Sequence, residues 1–341
     1  MPKVLMVGWG YPPEIEGGLD IHVARIFEQL HTEIEVELAL PAENAPDRDG
    51  IIPVETEGDD MLSMASDMSR KLVKLSGDYD IVHTHDWFGA ESGLKSRKYS
   101  DTRWVSTFHS LASGRSRNPS HRIENLERAM VERSDACLAV SEKLAEEVEE
   151  KYRKRPKVIH NGFSRADATG RDLKEELGAE KIVLYVGRHA EQKGVEHLIY
   201  GFSKLESDAT LVIGGEGHMT EALKEFVHIL DIEEDVIFTG FIPGEELGDY
   251  YSSADVFVSP SINEPFGLTV TEALEAGTPV VATSSGAEEV LPEDAIIQVE
   301  PDSESIKQGI ERALDRGVLP EFESRSWEEV ADEIREIYSR F

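Results

Sequence analysis

The chain is poor in cysteine and in basic residues, and it has no long apolar run. One cysteine, Cys137, occurs in 341 residues, which excludes an intramolecular disulfide. It lies in the apolar segment ACLAV and reads as a buried structural thiol. No apolar stretch approaches the ~20 residues that cross a bilayer. The opening MPKVLMVGWG is too short an apolar run for a secretion signal and reads as a first buried strand, so a cytoplasmic place is expected. Lys and Arg number 35 against 68 Asp and Glu, a net charge of −33. That balance disfavours a general nucleic-acid-binding role, because phosphate contacts need a basic surface. A complete Gly-rich dinucleotide fingerprint is missing after the first strand, which disfavours a nicotinamide-dependent oxidoreductase.

The acidic residues are spread along the chain and are not collected in a tail. Apolar strands recur throughout, so disorder does not account for them. Lysines are few, 15 against 20 arginines. The pattern predicts a salt-adapted surface, in which carboxylates stay hydrated and salt screens their repulsion. Such a chain unfolds at lower temperature in millimolar salt than in molar KCl, and melts across that range check it.

Strand-like runs alternate with amphipathic helical runs. Strands read at Val4–Val7, Val36–Leu40, Ile81–His83, Trp104–Phe108, Ala136–Val140 and Val158–Ile159, with helices such as Ile21–Leu30 and Met61–Leu75 between them. The rhythm restarts at Ile182–Val186 and continues through Thr210–Ile213, Val236–Phe238, Val256–Val258, Pro279–Ala282 and Ala295–Val299. Such alternation predicts α/β architecture with two doubly wound parallel sheets. The boundary is expected in the polar stretch after Asn161-Gly162-Phe163, giving domains 1–163 and 164–326. Residues 327–341 have helical periodicity through Trp327, Val330, Ile334, Ile337 and Tyr338.

The most informative stretch is SPSINEPFGLTVTEALEAGTPVVATSSG, Ser259 to Gly286. Glu264 precedes a Phe266-Gly267-Leu268-Thr269 turn, and Glu272 lies on the helical segment after it. A loop entering a helix presents free backbone N–H groups and a positive dipole end to an anion. Gly267 lets that ligand approach the backbone. Two carboxylates beside an anion cradle suit a ligand with hydroxyls at both ends and phosphates in the middle, the form of a nucleotide sugar. Gly187-Arg188 and Lys193-Gly194 follow another strand, and a fixed pair of cations there neutralises a diphosphate. The alternative for that pair is a surface ion pair.

In the first half, Gly17-Gly18 stands at a strand–loop–helix junction where backbone approaches phosphate or sugar closely. His22 is read as a first-turn helix residue without chemistry. His83-Thr84-His85-Asp86-Trp87 ends a strand; two His and an Asp suggest a metal, but a third ligand at recognisable spacing is missing, so none is expected. Thr107-Phe108-His109 ends another strand. Between Lys95 and Arg133 nine Lys or Arg stand against four Asp or Glu, and Arg115, Arg117 and Arg122 sit in the polar run SGRSRNPSHR. That run reads either as a site for an anionic or lipid-linked acceptor at a membrane surface, or as a solvated, ion-paired loop.

Together these motifs resemble the family-four retaining GT-B glycosyltransferases, which include glycogen synthases and mannosyltransferases, over nearly the whole chain. The resemblance implies two Rossmann-like domains facing across a cleft that holds the ligand. It also implies that residues 327–341 cross back to the first domain. It implies that Gly17 and Gly18 meet the donor diphosphate and sugar, and that His109 contacts the transferred sugar. Arg188 and Lys193 hold the leaving diphosphate, with Gly187, Phe266, Gly267, Leu268 and Thr269 around it. Glu264 takes sugar hydroxyls and Glu272 the ribose. Gly217 and Ile242 lie in loops bordering the nucleotide. His85, Asp86 and Trp87 border the acceptor. No metal or other cofactor is implied. Two departures stand out: Ser284-Ser285-Gly286 replaces the more usual Gly-Gly loop, and the first half is short for a polymer-elongating synthase. An epimerase of the same shape and a non-catalytic nucleotide-sugar sensor are the alternatives.

Overall fold

The computed structural model describes residues 2–13, 17–116, 118–316 and 321–341. Its contacts divide into two units, Met1–Gly162 with Arg325–Phe341, and Phe163–Ser324.

In the first unit, β1 (Val4–Val7) leads to α1 (Gly18–His31), then β2 (Val36–Pro41), β3 (Ile51–Val54) and α2 (Met61–Leu72). β4 (Ile81–His85) runs directly into α3 (Asp86–Ser100). β5 (Arg103–Phe108), a short α4 (Ala112–Arg115), α5 (His121–Arg133), β6 (Ala136–Ala139), α6 (Glu142–Tyr152) and β7 (Lys157–Val158) follow. The sheet order is β3-β2-β1-β4-β5-β6-β7, with every pair parallel. β3 lies outside the runs read as strands, because Pro53 interrupts it; it is an edge strand, where a missing N–H is tolerated.

The second unit begins with α7 (Leu173–Leu177). It continues through β8 (Lys181–Val186), α8 (Val195–Phe202), β9 (Ala209–Gly214), α9 (Thr220–Ile229), β10 (Val236–Gly240) and α10 (Gly244–Ser253). β11 (Val256–Ser259), α11 (Leu268–Glu275), β12 (Val280–Ala282), β13 (Ile296–Gln298) and α12 (Ser303–Arg316) complete it. Its order, β10-β9-β8-β11-β12-β13, is also wholly parallel. Along β8, Val183 and Tyr185 join one buried cluster while Ile182 and Leu184 join another. The period-2 alternation thus buries both faces, as a helix-covered parallel sheet requires.

The last helix, α13 (Trp327–Tyr338), packs on α1 in the first unit. Ser326 and Glu329 form a capping box at its start, and its apolar stripe from Trp327 to Tyr338 is buried.

In each sheet the strand order reverses beside the first strand, at β1/β4 and at β8/β11. Loops leaving the carboxyl ends of such strands diverge to opposite faces and open a crevice, the usual place for a ligand in doubly wound sheets.

Candidate functional site

In the second unit the crevice at β8/β11 gathers residues far apart in sequence. After β8 the chain passes Gly187 and Arg188 and makes a 3₁₀ turn, Glu191–Lys193. The loop after β11 hydrogen-bonds to that turn, Ile262 N–H to Gln192 C=O at 2.8 Å. The two loops are drawn together so closely that a Cβ on Gly194 would fall 2.3 Å from the Pro260 carbonyl oxygen. Lys193 Nζ then lies 2.6 Å from Glu264 Oε2, which also accepts from Ser261 Oγ at 3.0 Å. Glu264 is 9 % exposed, so this pair is partly shielded from water. Arg188 differs: it is exposed, and among the described residues no carboxylate pairs with it. An unpaired arginine is notable on so acidic a chain.

Gly267 begins α11 at φ +97°, a left-handed conformation that glycine adopts without strain. The first bonds of the helix run from Val270 and Thr271 N–H to Gly267 C=O, so the N–H groups of Leu268 and Thr269 precede the ladder. Glu264 forms a parallel bridge with Ser285, which brings the Ser284-Ser285-Gly286 loop beside this helix start. Phe266 and Leu268 are buried, and Phe266 C=O accepts from Ala287 N–H at 2.8 Å. Glu272 accepts from the buried Tyr251 hydroxyl at 2.9 Å, which orients the carboxylate. On the far side of β8, Gly187 N–H bonds Gly214 C=O at 3.1 Å, and Ile242 packs over Gly214. Gly217 N–H donates to Thr220 Oγ1 at 3.0 Å. One unit therefore brings together Lys193, Glu264 and the α11 start, with Gly187 and Arg188 on the loop that leaves β8.

In the first unit buried imidazoles cluster at the β1/β4 switch point. Asp20 holds the β1–α1 loop by accepting from Gly10 N–H at 2.9 Å and Gly17 N–H at 3.3 Å; Gly17 caps α1 and Gly18 is its first residue. His22 sits on the buried stripe of α1 with Val23, Ile26 and Phe27. Its Nδ1 meets Asn161 Oδ1 at 2.7 Å. His85 Nδ1 lies 3.1 Å from His109 Nε2, and the His22 and His109 ring centres are 4.5 Å apart. His83, one step back on β4, is held by Tyr338 OH at 2.6 Å and Thr107 Oγ1 at 2.8 Å. Burial holds all four imidazoles below the ordinary histidine pKa, His22 to about 4 and His83 to about 3, so they are neutral near pH 7.

Asp86 and Trp87 take structural places. Asp86 is fully buried; it accepts from His109 N–H at 2.6 Å and Ser110 N–H at 3.3 Å, and pairs with Arg115 at 2.8 Å. Burial raises its pKa and the guanidinium opposes that rise. Trp87 is a core side chain packed with Phe88 and Trp9. Arg122 lies in the first turn of α5 and faces Glu91 at 3.5 Å. Of the three arginines of the polar run, Arg115 and Arg122 are ion-paired, and Arg117 lies outside the described residues. Arg115→Ala is expected to cost about 1–3 kcal/mol of stability, because it leaves a buried carboxylate short of a partner. Urea denaturation against wild type checks this.

Sequence reasoning missed His22, Tyr338 and Asn161. The available signal was a histidine on the apolar stripe of an amphipathic helix. A third imidazole, absent at any recognisable spacing along the chain, is brought beside His85 and His109 through the fold by α1.

The family model for glycosyl transferases group 1 matches residues 171–338, and that for glycosyltransferase family 4 matches residues 16–166. The chain belongs to the group 1 glycosyltransferases. It is 33 % identical to an uncharacterized glycosyltransferase of Methanocaldococcus jannaschii, over 98 % of this chain and 97 % of that protein. It is 30 % identical to a glycogen synthase of Mycobacterium tuberculosis, over 83 % and 78 % of the two chains. Among solved structures, sucrose-phosphate synthase from Thermosynechococcus elongatus superposes with a TM-score of 0.82 at 21 % identity, covering 100 % and 99 %. Anabaena HepE in complex with UDP and glucose gives 0.80 at 19 %, covering all of both chains. The fold is GT-B, two Rossmann-like domains. No described helix is long and apolar enough to cross a membrane.

Proposed function

We propose that the protein transfers a hexose from a nucleoside diphosphate sugar to a hydroxyl acceptor, with retention at the anomeric carbon. The observation that carries this reading is the second unit's crevice: the Lys193–Glu264 pair at 2.6 Å, the unpaired Arg188 and the N-terminus of α11 meet one set of strand ends. A relative of the same fold binds UDP and glucose. Arg188, Lys193 and the N–H groups of Leu268 and Thr269 stabilise the departing diphosphate, where charge grows in the transition state. With two cations and a helix end in place, no metal is needed at the diphosphate. Glu264 takes sugar hydroxyls. Glu272, held by Tyr251, takes the ribose.

In the reaction the bond from the anomeric carbon to the phosphate oxygen breaks, and a bond to the acceptor oxygen forms on the same face. The acceptor proton goes to the departing phosphate oxygen. The Glu264 and Glu272 carboxylates do not flank the scissile bond, so the two-carboxylate scheme of glycosidases is not invoked. The enzyme works in the cytoplasm on a soluble or lipid-linked hydroxyl.

A panel of UDP-, GDP- and ADP-sugars titrated calorimetrically in molar KCl tests the reading. One donor class is expected to bind, and Glu272→Gln to weaken binding of its nucleoside diphosphate, since an amide accepts a ribose hydrogen bond less well than a carboxylate. Proton NMR of the product gives the anomeric configuration. No binding by any donor would sink the reading, and binding without transfer to any acceptor would make the protein a sensor.

A further inference from the structure

Ser284-Ser285-Gly286 departs from the more usual Gly-Gly loop and keeps Gly286, so a serine stands where a glycine would carry no side chain. Thr283 N–H donates to Ser259 C=O at 3.0 Å, which holds this loop against the exit of β11. Ser285 then forms the bridge with Glu264. The backbone of Ser285 is engaged on both sides. Its N–H donates to Glu288 Oε1 at 2.8 Å, and its C=O accepts from Glu288 N–H at 3.3 Å. The hydroxyl is not engaged: Ser285 is 3 % exposed, and its Oγ has no hydrogen-bond partner. Buried polar atoms are nearly always satisfied, so an orphaned hydroxyl in a candidate site needs an explanation.

The space beside it is set by Gly267, the residue that begins α11. A Cβ there would have Glu264 Cγ at 3.4 Å, Val270 Cγ2 at 3.4 Å and Ser285 Cβ at 3.6 Å as its nearest neighbours. These are ordinary van der Waals distances. Glycine therefore leaves a recess that a single methyl or oxygen would fill, walled by Glu264, Ser285 and Val270.

We propose, on the footing of the donor site described above, that Ser285 Oγ hydrogen-bonds a hydroxyl of the transferred hexose seated in this recess, and so selects a sugar that carries that hydroxyl over its deoxy counterpart.

The pairing of donors and acceptors fits a hydroxyl. An ionised carboxylate only accepts, so a sugar hydroxyl that donates to Glu264 keeps its own lone pairs unused. The Ser285 hydroxyl supplies the donor that meets them. Glu264 Oε2 already accepts from Lys193 and Ser261, but a carboxylate has about four lone-pair sites, which leaves capacity for the sugar. Rotation about χ1 between staggered wells turns Oγ toward the recess without moving the backbone. Val270 closes the third wall with a methyl group, which offers nothing to hydrogen-bond. A deoxy sugar would leave the serine hydroxyl orphaned again, and a buried polar group without a partner is what a hydrogen-bonding site rejects most strongly. Ser284, the other serine of the loop, is exposed and has no such place.

The test is calorimetric titration of the full-length chain in molar KCl. The probes are the nucleoside diphosphate hexose that the wild-type chain binds, each of its single-deoxy forms, and the nucleoside diphosphate alone. Ser285→Ala is expected to bind the hexose donor about 3–10-fold more weakly, the worth of one hydrogen bond. It should bind the bare nucleoside diphosphate as tightly as wild type. With one deoxy form the two chains should bind equally, because the contact is already gone; with the others the difference should persist. The variant should melt no lower than wild type, since Oγ has no partner to lose. Equal binding of the parent donor by both chains overturns the assignment, as does a difference that persists with every deoxy form. A Ser285→Ala chain that melts lower and loses nucleoside diphosphate affinity as well would make the hydroxyl a support of the loop, which overturns it too. Those three results leave the donor site standing. Failure of the wild-type chain to bind any nucleoside diphosphate or its sugar removes the donor site and this contact together.

Discussion

Arg188→Ala is expected to lower turnover about 100-fold, on the order of 3 kcal/mol of transition-state stabilisation, with no change in melting temperature. The side chain is exposed, and among the described residues it has no ion-pair partner whose loss would be felt in the fold. Its worth lies in a fixed charge that meets a growing one. Lys193→Ala is expected to cost a similar factor in rate but also stability. Glu264 is 9 % exposed and would lose its charged partner while keeping the Ser261 hydroxyl. Leaving a buried acceptor short of a partner costs about 1–3 kcal/mol. The contrast separates a charge used on the ligand from one used on both ligand and fold. Steady-state rates and urea titrations of the two variants give it directly, and wild-type turnover in either would remove the diphosphate assignment.

Gly194→Ala is expected to cost about 3 kcal/mol of stability and most of the activity, through backbone strain and a clash with backbone. Gly194 has φ +61°, and a Cβ there would stand 2.3 Å from the Pro260 carbonyl oxygen. That oxygen belongs to the loop that carries Glu264, so the two loops would separate and Lys193 would leave its partner. Gly277→Ala is the matched control. Gly277 has φ +84° but nothing within 4 Å of a Cβ, so it should lose only the strain, about 1 kcal/mol. Equal losses in the two variants would mean that the approach of the loops is not tight in solution.

Fold class was legible because its signals are local. Alternation along β8 and the stripe of α13 follow periods of 2.0 and 3.6 residues, and a few neighbours reveal them. The loop-to-helix turn at α11 was legible too, since Gly267, the helix start and both glutamates lie within one short stretch. The boundaries of β3 and β4 were not. Pro53 masks an edge strand, and β4 continues through His85 into a helix that begins at Asp86 with φ +50°, a conformation that side chains other than Asp and Asn seldom adopt.

The run around Arg115 shows the limit of composition. Nine basic residues in a stretch look like a patch only while their partners are unseen. Asp86 lies 29 residues before Arg115 and Glu91 lies 31 before Arg122, and folding pairs them. Local pattern, charge and turn chemistry were set by the sequence itself, because each depends on residues a few positions apart. Which strand ends stand together was decided by sheet order alone. The reversal at β8/β11 brings Lys193 to Glu264 across 71 residues. The reversal at β1/β4 brings His22 to His85 and His109, with Asn161 behind it across 139 residues. No spacing rule reaches that far, since such distances are fixed only when the parallel strands close into their sheets.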